Sequence, residues 1–189
     1  MPANRSCNET FKSRSEWLSI CAFLLASSVG ALSIKGKTMI KHQGGCHCGN
    51  IKFSTEYDPM LVMACHCKTC DKMLGVGTGV TAIFGEEEVS FEGELKRYSA
   101  RGSSGNQLHY EFCGNCGNNI VTKPDLIAGM MYIHVGSFDN PQAFTPKVEI
   151  WNKTKPVWFK SEGCIVESFE DNGSLERIQM LMENLDQRQ

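Results

Sequence analysis

The chain has 189 residues and no stripe of lysine and arginine: no basic run is longer than two. A nucleic-acid binder usually carries such a stripe, so nucleic acid is not an expected partner. Internal repeats are absent. Only one uncharged, mostly apolar run is long enough to approach a membrane span, residues 17–34. A multi-span membrane protein is thereby excluded. Charged residues at 21% and apolar residues at 41% leave no room for a disordered or collagen-like chain. Ten cysteines exceed ordinary usage but fall short of a disulfide scaffold.

Charge is unevenly placed. Residues 1–38 hold five basic and two acidic side chains, so 39–189 carry −5 of the total −2. Residues 17–34 fit three readings: a signal peptide behind Arg5, Lys12 and Arg14, a membrane anchor weakened by four serines, or an extension that adds nothing to the fold. The extension is preferred, and Met39 is a candidate alternative start. A membrane is a partner only if 17–34 is an anchor.

From residue 44 the pattern is short β segments broken by turns. Strands are expected at 51–54, 78–84, 89–91, 95–98, 107–112, 120–122, 130–135 and 147–151, each rich in β-branched and aromatic residues. The stretch 91–95 reads as a hairpin turn and 100–106 as a flexible loop. Leu175, Ile178, Met182 and Leu185 recur at helical spacing after Ser174, a plausible N-cap. The expected organisation is an extension over 1–38, a zinc domain over 42–162 and a C-terminal segment over 163–189 with a short helix.

Seven cysteines fall in three groups: Cys46-His47-Cys48, Cys65-His66-Cys67-Lys68-Thr69-Cys70 and Cys113-Gly114-Asn115-Cys116. Thiolates two or three positions apart converge on one ion at about 2.3 Å, the zinc–sulfur distance. Seven ligands make one closed site and one three-thiolate site. Cys46, Cys48, Cys113 and Cys116 most naturally form the closed, structural zinc. Cys65, Cys67 and Cys70 then keep a fourth position open, as a catalytic zinc does. Such a soft centre favours an incoming sulfur ligand and deprotonates it. Two other readings stay open: disulfides, for which alternate-residue pairs have poor geometry, and a purely structural site with His66 or another side chain as fourth ligand. His47 and His66 are expected to point outward. His42, His109 and His134 are expected to be ordinary strand or surface histidines. Cys7, Cys21 and Cys164 are expected to be buried as small hydrophobes. Reduced, metal-bound thiols suit the cytoplasm better than a secreted setting.

These residues resemble a known family, the glutathione-dependent formaldehyde-activating enzymes and centromere protein V. The resemblance covers about residues 43–160. It rests on Gly45-Cys46-His47-Cys48-Gly49, on Cys65-His66-Cys67 and Cys70, on Phe112-Cys113 with Cys116-Gly117, and on Val135 to Pro141 with Pro146, Ile150-Trp151 and Trp158. It implies a mostly β fold, a zinc-stabilised antiparallel β-tent. It implies two zinc ions, structural at Cys46, Cys48, Cys113 and Cys116 and catalytic at Cys65, Cys67 and Cys70. The implied activity is that of a carbon–sulfur lyase joining glutathione and formaldehyde as S-(hydroxymethyl)glutathione, or acting on a related thiol and aldehyde. The centromeric branch implies the alternative, a non-catalytic zinc-stabilised protein-interaction module. The chain departs from the family at Tyr110-Glu111, where relatives carry arginine before the Phe-Cys pair, and at Asn118. Both departures bear on substrate rather than fold. Seven thiolates (−7) around two divalent ions (+4) would take 39–189 from −5 to −8, which disfavours DNA.

Overall fold

Leu61-Val62-Met63-Ala64-Cys65 is apolar at every position, and every one of these residues is buried. A strand covered on both faces needs no alternation. This is β3 (Leu61–Cys65), and the rest of the fold is laid out on either side of it. A computed structural model describes residues 39–161 and 163–184. The segment 1–38, with its apolar run and with Cys7 and Cys21, lies outside the described residues, as does Leu185.

Among the described residues eleven strands form two sheets. The smaller has the order β1 (His42–Gly45), β2 (Lys52–Thr55), β5 (Val89–Glu92). The larger has the order β11 (Glu167–Ser168), β10 (Val148–Ile150), β3, β4 (Gly79–Gly85), β9 (Met130–His134), β8 (Asn119–Pro124), β7 (Gln107–Cys113), β6 (Leu95–Arg101). Pairing is antiparallel except that β10 runs parallel to both β3 and β11. The fold is mostly β, as expected, with a short C-terminal helix. Helix α1 (Lys68–Leu74) follows β3, and α2 (Leu175–Asn184) closes the described chain. The Arg177 N–H donates to Ser174 Oγ at 3.2 Å, so Ser174 does cap α2.

The larger sheet has two different faces. On one, Val62, Ala82, Phe84, Val121 and Ile133 join a core with Phe53 of the smaller sheet. Phe138 bridges them, 5.0 Å from Phe53 and 4.2 Å from Phe144 between ring centroids. On the other, Leu61, Met63, Ile83 and Val148 pack under Ile178, Leu181 and Met182 of α2. The second face continues through Tyr132, Thr122 and Tyr110, which stand opposite one another in the ladder.

Three expectations are corrected. No hairpin joins β5 to β6: the chain passes between the sheets at Gly93, whose φ is +93°. A Cβ there would lie 2.2 Å from the Asn50 carbonyl oxygen, so only glycine fits the crossing. The expected loop 100–106 is shorter, because β6 continues to Arg101. Strands β1, β3 and β11 and helix α1 were not anticipated. Two glycines mask β1, and unbroken apolarity masks β3.

Phe84 is fully buried. Phe84→Ala is expected to cost about 3–5 kcal/mol in chemical denaturation, with the slope of the transition unchanged. A loss below about 1 kcal/mol would mean that this face is not the continuous core described.

Candidate metal centres and the adjoining cavity

Two cysteine loops, one after β1 and one after β7, come together. Cys46, Cys48 and Gly49 form a turn after β1, closed by the Gly49 N–H donating to the Cys46 carbonyl at 3.0 Å. Cys113 ends β7, and the Gly117 N–H returns to the Cys113 carbonyl at 2.9 Å. Gly117 takes φ +74°, the left-handed conformation that ends this loop at low cost. The His47 N–H donates to Asn118 Oδ1 at 3.2 Å and stitches the loops together. Asn118 therefore serves the loop junction.

The four sulfurs of Cys46, Cys48, Cys113 and Cys116 lie within 4.8 Å of one another. Cys48 Sγ is 3.5 Å from Cys46 Sγ and 3.6 Å from Cys113 Sγ. Tetrahedral zinc with bonds of about 2.3 Å sets its sulfurs roughly 3.8 Å apart, so the donor set fits such an ion. The Ile51 N–H donates to Cys46 Sγ at 3.2 Å, an orienting contact behind the candidate ligand.

The second cluster sits at the C-terminal end of β3. Cys65, Cys67 and Cys70 place their sulfurs within 4.8 Å of one another. Cys67 is the N-cap of α1, its Sγ accepting from the Cys70 N–H at 3.4 Å. This short helix turns Cys70 back onto Cys65. The thiols divide protons unequally. Donation from Cys65 and Cys70 holds Cys67 down at about 2, against the opposing effect of burial. Its proximity pushes Cys65 up to about 12 and, together with Cys65, carries Cys70 well above the ordinary thiol range. One thiolate is stable here alone. All three ionise together only with a cation among them.

His66 is not a fourth member, and it does not point outward. It is buried, with Nδ1 2.8 Å from Thr78 Oγ1 and Nε2 3.2 Å from Glu149 Oε2. Burial lowers its pKa. Glu149 also accepts from Lys155 Nζ at 2.9 Å, Ser168 Oγ at 2.9 Å and Ser161 Oγ at 3.2 Å. Burial opposes ionisation of Glu149, but Lys155, Ser168 and His66 overcome it and bring it to about 2. This network braces the backbone between Cys65 and Cys67 from behind.

In front of the three cysteines lies a cavity of about 120 Å³. Its floor is the second face of the larger sheet, with Met63, Tyr110, Thr122, Tyr132 and His134. The loop after β6 bounds it through Ser103 and Asn106, and Ser103 Oγ meets Thr69 Oγ1 of α1 at 2.9 Å. Trp151 lines it too, and is the only non-glycine among the described residues with a left-handed φ, +60°.

His134 departs from the expectation of an ordinary histidine. It is buried, lowered to about 4 by that burial, and held by Thr122 Oγ1 at 3.2 Å from its Nε2. Its Nδ1 has no partner, and neither has Tyr110 Oη. The alternation Met130, Tyr132, His134 was the available signal, but it does not say which face a cavity occupies. Tyr110 and Glu111 separate: Glu111 leaves the cavity and accepts from Arg97. His109 and His42 make surface contacts, with Asp125 and Asp58 at 2.8 Å each. His47 is exposed. Cys164 is only half-buried, its Sγ 3.6 Å from the Ser161 carbonyl.

The family model for the glutathione-dependent formaldehyde-activating enzyme matches residues 41–154. Among solved structures, a crystal structure of a Rhodobacter sphaeroides protein is similar over 51% of this chain and 87% of that chain, at 19% identity and a TM-score of 0.41. No curated protein matches the chain.

Two outcomes are expected of the cysteine clusters and their brace. Cys113→Ser should collapse the fold, since it opens a closure between distant segments, whereas Cys67→Ala should leave circular dichroism and melting largely intact. Equal collapse in both would show the three-cysteine cluster to be a structural clamp. Glu149→Gln should destabilise the protein at pH 7 by about 1.5–3 kcal/mol. The Glu149 pKa falls on folding from the ordinary 4.5 to about 2, so its contribution is full above 4.5 and is lost as pH falls toward 2. Urea midpoints of the two proteins should therefore converge over that window.

Proposed function

Because its match spans more than half the chain, this protein belongs to the glutathione-dependent formaldehyde-activating enzyme family, and we propose that it catalyses the reversible addition of a thiol to an aldehyde at the Cys65, Cys67 and Cys70 centre. The family's named pair, glutathione and formaldehyde, is the reference reaction. The single observation that carries this reading is the contrast between the two clusters. One is a closed set of four sulfurs. The other is a set of three that faces a cavity.

In this reading the structural zinc belongs to Cys46, Cys48, Cys113 and Cys116, and the catalytic zinc to Cys65, Cys67 and Cys70. When bound at the latter, zinc supplies the positive charge that favours thiolate over thiol and a Lewis acid for a carbonyl oxygen. The chain supplies the rest. The three cysteines leave one side of the cluster turned to the cavity. Apolar wall residues, among them Met63, Leu108 and Ile150, limit the water around the reacting pair. Burial and the nearby thiolates hold the Tyr110 hydroxyl protonated, well above its ordinary range. In the net reaction a C–S bond forms and the carbonyl π bond opens. The thiol proton ends on the former carbonyl oxygen, giving a neutral S-hydroxyalkyl product with no change of oxidation state.

Unpaired cysteines of this kind persist in a reducing compartment, which supports a cytoplasmic location. Among the described residues no helix is long and apolar enough to cross a membrane.

The test is thiol-adduct formation from ¹³C-formaldehyde followed by NMR on zinc-loaded protein. Turnover above the uncatalysed rate is expected, lost in Cys67→Ala and kept in Cys164→Ala. A wild-type protein that never exceeds the uncatalysed rate with any thiol would leave a non-catalytic zinc module as the account.

A further inference from the structure

The loop that follows β10 carries large apolar side chains out to the surface. Val157 is 94% exposed and Trp158 65%, and Val76, just beyond α1, is 59% exposed. These three are not scattered. A Cβ on Gly77 would lie 2.7 Å from Pro156 Cγ and 3.4 Å from Trp158 Cζ2, so the chain after α1 touches the loop. At the other end of α1, Thr154 Oγ1 donates to the His66 carbonyl at 2.8 Å, and the Phe159 ring lies 5.2 Å from the His66 ring. The loop is thus pinned beside α1 at both ends. Phe159 and Pro156 are spent on those contacts, and Val157 and Trp158 are held outward between them.

Lysines accompany the apolar tip. Lys68, Lys72, Lys153 and Lys160 are exposed. Lys153 lies over the Trp151 ring, 5.1 Å from its centroid, and the other three have no side-chain partner among the described residues. Lys68 and Lys72 are one turn apart, on the side of α1 away from Cys70, Met73 and Leu74, which line the cavity. Residues 66–77 and 152–162 hold five lysines against Asp71 and Glu162, a local +3 within a region, 39–189, that totals −5. Positive charge is therefore gathered where the apolar side chains stand out.

This combination selects a partner by its chemistry. Tryptophan favours the boundary between lipid headgroups and hydrocarbon, where its ring is dry and its N–H is wet. Lysine stems reach along such a boundary and place their ammonium groups on anionic headgroups. A protein partner favours arginine at its contacts, and lysine is depleted there. Every cation of this surface is lysine.

We propose that this surface docks reversibly on an anionic lipid bilayer, with Val157 and Trp158 entering the headgroup layer and Lys68, Lys72, Lys153 and Lys160 lying over its phosphates and carboxylates. The contact needs nothing from residues 17–34 and is independent of the thiol–aldehyde reading. The cavity-lining side of α1 is turned away from the bilayer.

The test is co-sedimentation of the reduced, zinc-loaded full chain with vesicles. Binding is expected to mixed phosphatidylcholine–phosphatidylserine vesicles, to weaken as salt rises, and to be slight on phosphatidylcholine alone. Val157→Asp with Trp158→Ala should weaken it at least about 10-fold. Lys68→Ala and Lys72→Ala should each weaken it about 5-fold. These side chains are exposed, so melting temperature and zinc content should stay at the wild-type values. Vesicle binding that survives the change at Val157 and Trp158 would belong to another part of the chain, and would overturn the proposal. So would the absence of binding to anionic vesicles, or a concentration-dependent dimer that forms in its place. Equal binding to soluble polyglutamate, indifferent to Trp158→Ala, would mark a site for acidic protein and would overturn it as well.

Discussion

Mutual repulsion between thiolates governs this molecule. Cys65, Cys67 and Cys70 crowd their sulfurs within 4.8 Å, where the neighbours hold Cys67 low and push Cys65 and Cys70 up. The four-cysteine cluster is crowded too, with sulfurs 3.5 and 3.6 Å apart. A divalent cation would remove the repulsion at each point. At the four-cysteine end it would fasten the turn after β1 to the loop after β7, and so tie the smaller sheet to the larger. At the three-cysteine end nothing distant is joined, since six consecutive residues hold all three sulfurs. On the proposed reading the same chemistry would be structural in one place and free for another use in the other.

The larger sheet turns that difference into a site. Its first face is closed by the aromatic contacts of Phe53, Phe138 and Phe144. Its second face is covered only in part by α2, and the uncovered part is the cavity floor. Strand β3 delivers Cys65 to the edge of that floor, and α1 folds Cys70 back to it. Glu149, on β10, holds His66 from behind. The parallel pairing of β10 with β3 sets Glu149 opposite Ala64, next to the cysteine it helps to position.

The division of cysteines into four and three was legible in the sequence, because ligand spacing is local and counting is enough. Most strands were legible too, wherever one face is wet and the residues alternate. What was not legible depends on burial from both sides or on contacts between distant segments. Strand β3 has no alternation to read. His66 looks like a residue between two ligands that should face solvent, but its place is fixed by Glu149, 83 positions on. His134 looks like any strand histidine until the cavity is seen. Tyr110 and Glu111 look like one feature, and the pleat sends them to opposite faces. Gly93 reads as a hairpin turn because a turn signal does not say whether its two strands pair.

The central claim is that two cations sit in unlike sulfur environments. Metal analysis with zinc-edge X-ray absorption on protein purified under reducing conditions tests it most directly. The account predicts two zinc ions per chain, sulfur neighbours at about 2.3 Å, and a non-sulfur light-atom neighbour at one site only, displaced by sulfur when glutathione is added. A single ion, or two ions each with a full set of protein ligands and no response to the thiol, would contradict it.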